Sequence, residues 1–296
     1  MNFVNANRER HLKRIQATIR KMPSLSTTVV KVLETCNDPQ SSANDLKRVI
    51  SLDPVLTGRV LKLINSAYFA LGKPITSLTR AIIMLGVNSV KNLALSFAIL
   101  RNMRGSRSFH AFGADDFWLH CLGVGVVAKS LAAAKGLSPA EQEEHFVAGL
   151  LHDLGKLPLN NQFPEEYFQV CQSSGKEGST FQLSEDRVLG IDHCQVGAMI
   201  ARKWRLGVSL IETLSCHHQV DDSRKSCRDL VSIISLANQI TIELKIGTAG
   251  DYVSDKAMFE RLTAEVGIDY GKLSDFHDSV AKEIKKASIF LEIVKR

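Results

Sequence analysis

The amino-acid sequence predicts an all-α fold, and its composition and its hydrophobic spacing both support that class. Aromatic residues make up only 6% of the chain, and its apolar residues are mainly Leu, Ile, Val and Ala. These apolar residues recur at spacings of three and four, which is the period of an amphipathic helix rather than of a strand. Hydrophobic residues form 45% and charged residues 23% of the 296, so the chain can bury one large or two modest cores.

Five or six short helices are expected before residue 105. The first covers residues about 6–21 and ends at Met22-Pro23, because a residue before proline is disfavoured in a helix. Asp53-Pro54 starts another, with Asp as the N-cap acceptor and Pro at the first helical position. The other expected N-caps are Ser26 or Thr27, Ser41 or Ser42, Ser77 and Asn88. Connections of two to eight residues predict a compact array rather than a long up-and-down bundle.

A segment rich in Gly, Ser and charge, Arg104 to Asp115, is taken as the boundary between two parts. Residues 1–105 are assigned to an N-terminal helical subdomain, and 106–296 to a second multi-helix core. Helices in the second part are expected over about 117–135, from Ser138-Pro139 into the His152-Asp153 run, and over 208–218, 229–246, 255–266 and 272–295. The polar stretch 173–179 is expected to be a loop that acts as a lid or simply connects.

The compartment is predicted from the cysteines and the N-terminus. Six cysteines are scattered without a CxxC pair, which favours free thiols in a reducing cytosol over disulfides or a zinc ribbon. The first 22 residues are polar and basic without a hydrophobic stretch, and eighteen apolar residues never run together. Neither export nor a membrane-spanning segment is therefore expected, and the predicted location is cytoplasmic.

Net charge of +6 raises the question of a nucleic-acid partner. Basic residues cluster near the start and near residue 104, but basic residues on an amphipathic helix usually form a solvated face. No helix-turn-helix, RRM or zinc-finger pattern accompanies them, so nucleic-acid binding is not the expected function. The two clusters are Arg8, Arg10, Lys13, Arg14, Arg20 and Lys21, and Arg101, Arg104 and Arg107.

Chemistry is expected first at the segment Gly149-Leu150-Leu151-His152-Asp153-Leu154-Gly155-Lys156. Here an apolar run ends in an adjacent imidazole and carboxylate, and a cation follows. This mixed nitrogen and oxygen donor set suits a divalent metal that polarises a phosphoryl group, with Lys156 as a possible phosphate partner. The alternative for Lys156 is a simple surface cation.

Further histidines lie in helix-like segments. His120 shares the inward stripe of its helix with residues four, seven and eleven positions later. His193 shares a face of its own predicted helix with apolar residues further along that helix. The pair His217-His218 lies at the C-terminal end of the following predicted helix. A single buried histidine is usually a core residue satisfied by a carbonyl, so the interest lies in the group. The remaining four histidines are predicted to be solvent-exposed surface residues: His11, His110, His145 and His277.

Several segments resemble successive blocks of the HDOD family, the signal-output relatives of the HD-domain metal-dependent phosphohydrolases. The resemblance covers residues about 20–220 and implies an all-α fold, with an N-terminal helical subdomain and an HD-domain-like multi-helix core that the last 75 or so residues complete. The segments are Met22-Pro23-Ser24-Leu25, Ile50-Ser51-Leu52-Asp53-Pro54-Val55-Leu56, Leu61-Lys62-Leu63-Ile64-Asn65-Ser66-Ala67, Ala81-Ile82-Ile83-Met84-Leu85-Gly86 and Gly190-Ile191-Asp192-His193.

The resemblance also implies a ligand set. The HD pattern of a His, an adjacent His-Asp and a distal Asp matches this chain with one change, because the distal position is best matched by Asn238. The implied metal ligands are His120, His152, Asp153 and Asn238, and, by similarity to the HD-GYP phosphodiesterases, His193, His217, His218 and Glu185. Asp153 and Lys156 would be the catalytic pair, with Lys156 at the substrate-phosphate position. One or two divalent ions, of Fe, Mn, Zn or Ni, are expected.

Two functions compete. The first is a bacterial-type signal-transduction output or regulatory module with a protein partner, and the alternative is an active metal-dependent phosphohydrolase or phosphodiesterase acting on a phosphate-containing ligand. Asn238 favours the first, since an amide carries no negative charge to hold a cation. The chain after His218 lacks the Gly-Tyr-Pro segment of the phosphodiesterases it resembles. Efficient hydrolysis of cyclic di-GMP is therefore not expected.

Overall fold

A computed structural model of the chain describes residues 2–38, 40–66, 68–69, 74–104, 111–174, 179–267 and 273–295. Every regular element within these ranges is helical, which confirms the all-α class. The first helices are α1 (Asn2–Lys21), α2 (Thr27–Asn37), α3 (Ala43–Ser51), α4 (Pro54–Ile64), α5 (Leu78–Leu85) and α6 (Val87–Arg104). The next are α7 (Ala114–Ala134), α8 (Pro139–Leu151), α9 (Lys156–Gln162), α10 (Pro164–Ser173), α11 (Phe181–Leu189) and α12 (His193–Lys203). The last are α13 (Val208–Cys216), α14 (Arg228–Glu243), α15 (Lys256–Val266), α16 (Leu273–Ala287) and α17 (Ile289–Lys295).

Most of the expected helix starts are confirmed by the capping contacts. The side chain of Asp53 accepts a hydrogen bond from the Leu56 backbone N–H, with Pro54 at the first helical position. Ser42 and Ser138 each form a reciprocal capping box with the acidic residue three positions later. Such caps satisfy backbone donors that would otherwise be left unpaired, each contributing about 1 kcal/mol. The expected cap at Asn88 is wrong, because α6 already begins at Val87.

Several expected helix bounds are also wrong. The helix expected over 208–218 ends at Cys216, so His217 is its C-cap rather than a helical residue. The helix expected over 272–295 is interrupted at Ser288 and forms α16 and α17. Helices α9 and α10 were not expected, and Pro164 at the first position of α10 separates them. The loop expected over 173–179 falls partly outside the described residues.

Two histidines read as surface residues are buried. His11 is 5% exposed and its Nδ1 lies 3.0 Å from the Leu189 carbonyl oxygen. His145 is 6% exposed and its Nδ1 lies 2.7 Å from the Glu141 carbonyl oxygen. Polar sequence neighbours misled that expectation, since packing of α1 and α8 against the core decides the burial. His110 lies outside the described residues, as does the side chain of His277.

Helices α7 and α8 form the centre of the fold and approach each other closely at two glycines. A Cβ added to Gly149 would lie 2.8 Å from the Cα of Gly125, so any side chain there would push the two backbones apart. Helix α14 packs against both of them. This close contact brings the ends of α7 and α8 that carry His120 and His152 to the same place.

One described helix, α7, is long and apolar enough to cross a membrane by length and composition alone. However, 72% of its most apolar window is buried inside the protein. Burial of that kind is typical of the central helix of a folded core, and the contacts of α7 with α8 and α14 account for its apolar character.

The two halves of the chain share one hydrophobic core. Lys203 donates hydrogen bonds from Nζ to the carbonyl oxygens of Ile19, Arg20 and Met22, and Trp204 donates from Nε1 to that of Pro23. These contacts fix the break between α1 and α2 on the end of α12. Helix α17 returns to pack on α4 and α6. The division at residue 105 falls in a segment outside the described residues, and it stays a prediction.

Candidate metal centre

Five elements deliver the predicted site residues to one buried position. His120 comes from α7, His152 is the C-cap of α8, and Asp153 lies in the turn that follows. His193 is the first residue of α12, and His217 is the C-cap of α13. Gly155 makes this convergence possible, because a Cβ at that position would overlap the carbonyl oxygen of His193. The turn carrying the carboxylate can therefore lie directly against the start of α12.

The carboxylate of Asp153 lies between two pairs of imidazoles. Its Oδ2 is 3.3 Å from Nε2 of His152 and 3.8 Å from Nε2 of His120. Its Oδ1 is 3.3 Å from Nε2 of His193 and 3.6 Å from Nε2 of His217. All five side chains are at most 1% exposed. Each oxygen thus faces its own group of nitrogen donors.

Three of these imidazoles are held from behind through Nδ1. The Nδ1 of His152 lies 2.7 Å from the Gly149 carbonyl oxygen, and that of His217 lies 3.0 Å from the Thr213 carbonyl oxygen. The Nδ1 of His193 lies 2.5 Å from Oε2 of Glu185. Histidines that bind metals almost always use the second ring nitrogen in this way, which fixes the ring and leaves Nε2 as the ligand atom.

The buried polar atoms that make no hydrogen bond are concentrated here. They include Nε2 of His120 and of His152, Oδ1 of Asp153, the amide of Asn238, and Nε2 of His218. Leaving one buried polar atom unsatisfied costs about 1–3 kcal/mol, so a cluster of them is an unusual feature that needs a reason. A divalent cation would satisfy these nitrogen and oxygen atoms together, so the residues fit a metal ion.

Burial keeps two imidazoles of the centre in the neutral form. Burial, reinforced by the neighbouring His152, lowers the pKa of His120 to about 3, and burial lowers the pKa of His217 to about 4. Both are therefore neutral at pH 7, which is the form that binds a metal. Burial opposes the charge of Asp153, but His152 and Lys156 hold its pKa well below the usual value.

Lys156 lies on the far side of the carboxylate and is fully buried. Its Nζ is 2.9 Å from Oδ2 of Asp153 and 2.5 Å from Oδ2 of Asp251, and it lies 4.5 Å from the centre of the Phe181 ring. Burial would lower the pKa of Lys156, but the two carboxylates raise it well above its usual value. The alternative of a surface cation is therefore wrong. Asp251 was missed, since no motif surrounds it in the sequence.

Glu185 and Asn238 contact different histidines of the centre. Glu185 accepts hydrogen bonds at Oε1 from the Tyr167 hydroxyl and at Oε2 from the His193 backbone N–H. It stands behind His193, and its carboxylate raises the pKa of that imidazole against the opposing effect of burial. Asn238 lies next to His120 on the buried side of α14 and is 1% exposed.

A surface cleft of about 190 Å³ lies beside this centre. His218, which is partly exposed, lines it and lies with its ring centroid 5.0 Å from that of His193. Burial and the neighbouring His217 hold the pKa of His218 well below its usual value. The cleft therefore opens onto one histidine of the predicted ligand set. Its other lining residues include Thr180, Gln182, Gln219, Gln239, Asp251 and Asp255.

Replacing Glu185 by Gln is expected to weaken metal binding about 10- to 100-fold, the usual effect of losing a partner behind a ligand. The amide can still hold the ring in place, but it no longer increases the basicity of His193. Competition with a chromophoric chelator would measure the change. Glu265→Gln is a matched control, because that carboxylate bonds Arg228 and Ser232 instead. Equal affinities of the two variants would contradict the role of Glu185.

A helical fold with an adjacent His-Asp pair at the end of a central helix, completed by histidines of further elements, defines the HD-type class of helical proteins. Within that class, the family model of the HDOD domain matches residues 22–220 of the 296. The chain therefore belongs to the HDOD domain family, as the resemblance in its sequence predicts.

Three similar proteins place the chain among known ones. A curated, uncharacterized protein of Treponema pallidum (strain Nichols) is 24% identical over 220 residues, which is 74% of this chain and 42% of that protein. A protein of Shewanella amazonensis SB2B, named as a candidate phosphohydrolase, is similar with a TM-score of 0.70 and 22% identity over 94% of this chain and 97% of its own. A candidate signal transduction protein of Marinobacter aquaeolei VT8 has a TM-score of 0.74 and 20% identity, over 98% of this chain and 67% of that one.

Proposed function

We propose that this chain is a cytoplasmic signal-transduction output module whose HD-like core holds one or two divalent ions. The observation that carries the proposal is the surface of the N-terminal helices. Leu52, Val55, Ile83 and Met84 are 64%, 55%, 76% and 51% exposed, although α3, α4 and α5 pack against one another and bury most of their other large apolar residues. Exposed apolar side chains of this size are typical of surfaces that bind a partner.

Charge suggests the chemistry of that partner. Residues 43–91 contain seven Lys or Arg and two acidic residues, an excess of five that accounts for most of the net charge of +6. A protein that offers apolar groups flanked by carboxylates would complement this surface. The subdomain of residues 1–105 would then serve recognition, while residues 106–296 hold the ions. Nucleic acid and membrane are not proposed as partners.

The ion ligands are assigned from the geometry around Asp153. His120, His152 and the amide oxygen of Asn238 would hold one ion, while His193, His217 and His218 would hold the other. Asp153 would contribute one oxygen to each side. Bound divalent ions would supply Lewis-acid polarisation of a phosphoryl oxygen. Glu185 would orient His193, and Lys156 would fix the orientation of the Asp153 carboxylate.

A metal-dependent phosphohydrolase is the second candidate, and the cleft that reaches His218 favours it. Two features count against efficient turnover. Asn238 supplies no negative charge, and the ammonium of Lys156 is held between two carboxylates, where it is poorly placed for a substrate phosphate. We therefore infer that any phosphohydrolase activity is feeble and that cyclic di-GMP is not hydrolysed efficiently.

A comparison of wild type with Asn238→Asp in a metal-supplemented phosphodiesterase and nucleotidase screen tests the order of these candidates. We expect turnover by the wild type close to background, and an increase when the added carboxylate strengthens ion binding. His152→Ala provides the matched loss-of-site control. Robust turnover by the wild type that Asn238→Asp leaves unchanged and His152→Ala abolishes would make the phosphohydrolase the primary function.

A further inference from the structure

Cys194 is the second residue of α12 and lies among the histidines of the centre. It is 2% exposed, and its Sγ is 3.8 Å from Nδ1 of His217. One donor atom from each of His193, Cys194, His217 and His218 can be chosen so that all four lie within 4.8 Å of one another. Tetrahedral sites with bonds of about 2.0–2.3 Å place their ligand atoms about 3.3–3.8 Å apart, so the most separated of these atoms must close by about 1 Å when an ion binds.

A second observation points to an ion next to this group, on the Nε2 side of the His217 ring, whereas the measured contact of Cys194 is with Nδ1 of that ring. Oδ1 of Asp153 is fully buried, makes no hydrogen bond and faces Nε2 of both His193 and His217. A buried carboxylate oxygen with only imidazole nitrogens around it requires either a proton or a cation nearby. The thiol therefore lies beside a donor set that already has the form of a cation site.

We propose that Cys194 is a thiolate ligand of a zinc-class ion held with His193, His217 and His218. This inference rests on the proposed metal-binding function. It also implies that the two groups of ligands around Asp153 bind a cation with different affinity. Sulfur is a soft ligand and favours Zn²⁺, Fe²⁺ or Co²⁺ over Mn²⁺ and Mg²⁺. The side formed by His120, His152 and Asn238 has only nitrogen and oxygen donors and lacks the distal carboxylate. The thiolate side is therefore the tighter of the two and fills first.

The ion itself produces the thiolate. Cys194 is buried, and a buried cysteine without a metal is a neutral thiol. Formation of the metal–sulfur bond displaces the thiol proton to solvent, so the thiol releases one proton when an ion binds on this side. The position of Cys194 in the first turn of an eleven-residue helix favours the resulting negative charge.

Titration of the metal-depleted full chain with Co²⁺ alone tests this assignment, in thiol-free buffer under argon. The visible d–d bands report that cobalt is bound, whatever its ligands are. A thiolate-to-cobalt charge-transfer band in the near ultraviolet reports a sulfur ligand specifically. We expect this band to grow during the first equivalent. It should disappear in Cys194→Ser, which keeps visible bands but binds Zn²⁺ at least tenfold more weakly.

Cys227→Ser is the matched control, since it replaces another buried cysteine outside the donor group and should keep both bands. Visible bands with a near-ultraviolet spectrum that Cys194→Ser does not change would overturn the thiolate ligand and leave the metal site intact. The absence of visible bands in the wild type would instead overturn the proposed metal-binding function. If Cys194→Ser fails to fold, X-ray absorption of the wild-type zinc protein decides, because a sulfur neighbour at about 2.3 Å is required.

Discussion

Protein carrying Asp153→Asn will retain almost no divalent metal after purification without chelator or histidine tag. Both oxygens of this carboxylate face imidazole nitrogens, and the carboxylate lies between the two groups of histidines described above. In Asp153→Asn the amide side chain has nearly the same shape as the carboxylate, but it lacks the negative charge that would offset the charge of two cations. Loss of a residue behind a ligand costs about 10- to 100-fold in affinity, so loss of this central ligand should cost more than 100-fold. Elemental analysis of the purified protein measures the effect.

Asp186→Asn is the matched control for that experiment. Its carboxylate is 53% exposed and pairs with Arg8 at 3.9 Å, so its replacement should leave the metal content unchanged. Retention of the wild-type metal content by Asp153→Asn would show that ions bind elsewhere. The convergence of histidines would then be only a polar part of the core.

Replacing Asp251 by Asn will lower the free energy of unfolding by about 3–5 kcal/mol, the usual cost of leaving a buried charge without its partner. Lys156 is 0% exposed and Asp251 is 6% exposed, and Nζ and Oδ2 are 2.5 Å apart. After the replacement, Asp153 is the one carboxylate still in direct contact with the buried ammonium among the described residues. Urea unfolding of the metal-depleted protein gives the difference without a contribution from bound ions.

Asp221→Asn provides the comparison on the surface. Its carboxylate also pairs with two cations, Arg228 and Arg261, but it is 61% exposed. Water replaces such partners readily, so the change in stability should be far smaller. If the two variants unfold alike, Lys156 can leave Asp251 at little cost. It would then be free to turn toward the cleft, which would restore its predicted role as a phosphate partner.

The sequence by itself determined the helical class and most of the helix starts. Caps such as Asp53 and Ser138 accept hydrogen bonds from backbone N–H groups three residues later, so they can be predicted from residues that are close in the sequence. The inward direction of His120 also followed from spacing alone, because residues four and seven positions apart share a helix face. The position of His152-Asp153 at the end of an apolar run could also be predicted, because the run and the pair are contiguous in the sequence.

Tertiary structure alone decided the partners of these groups. Lys156 and Asp251 are 95 residues apart in the chain, and only the packing of their elements brings the two charges together in a buried ion pair. Glu185 lies behind His193, and Cys194 lies beside His217, because α11, α12 and α13 meet at the centre. Sequence spacing specifies which face of one helix a side chain occupies. Which other helix covers that face depends on the sum of many distant contacts, and that sum determines what is buried, paired and available to bind an ion.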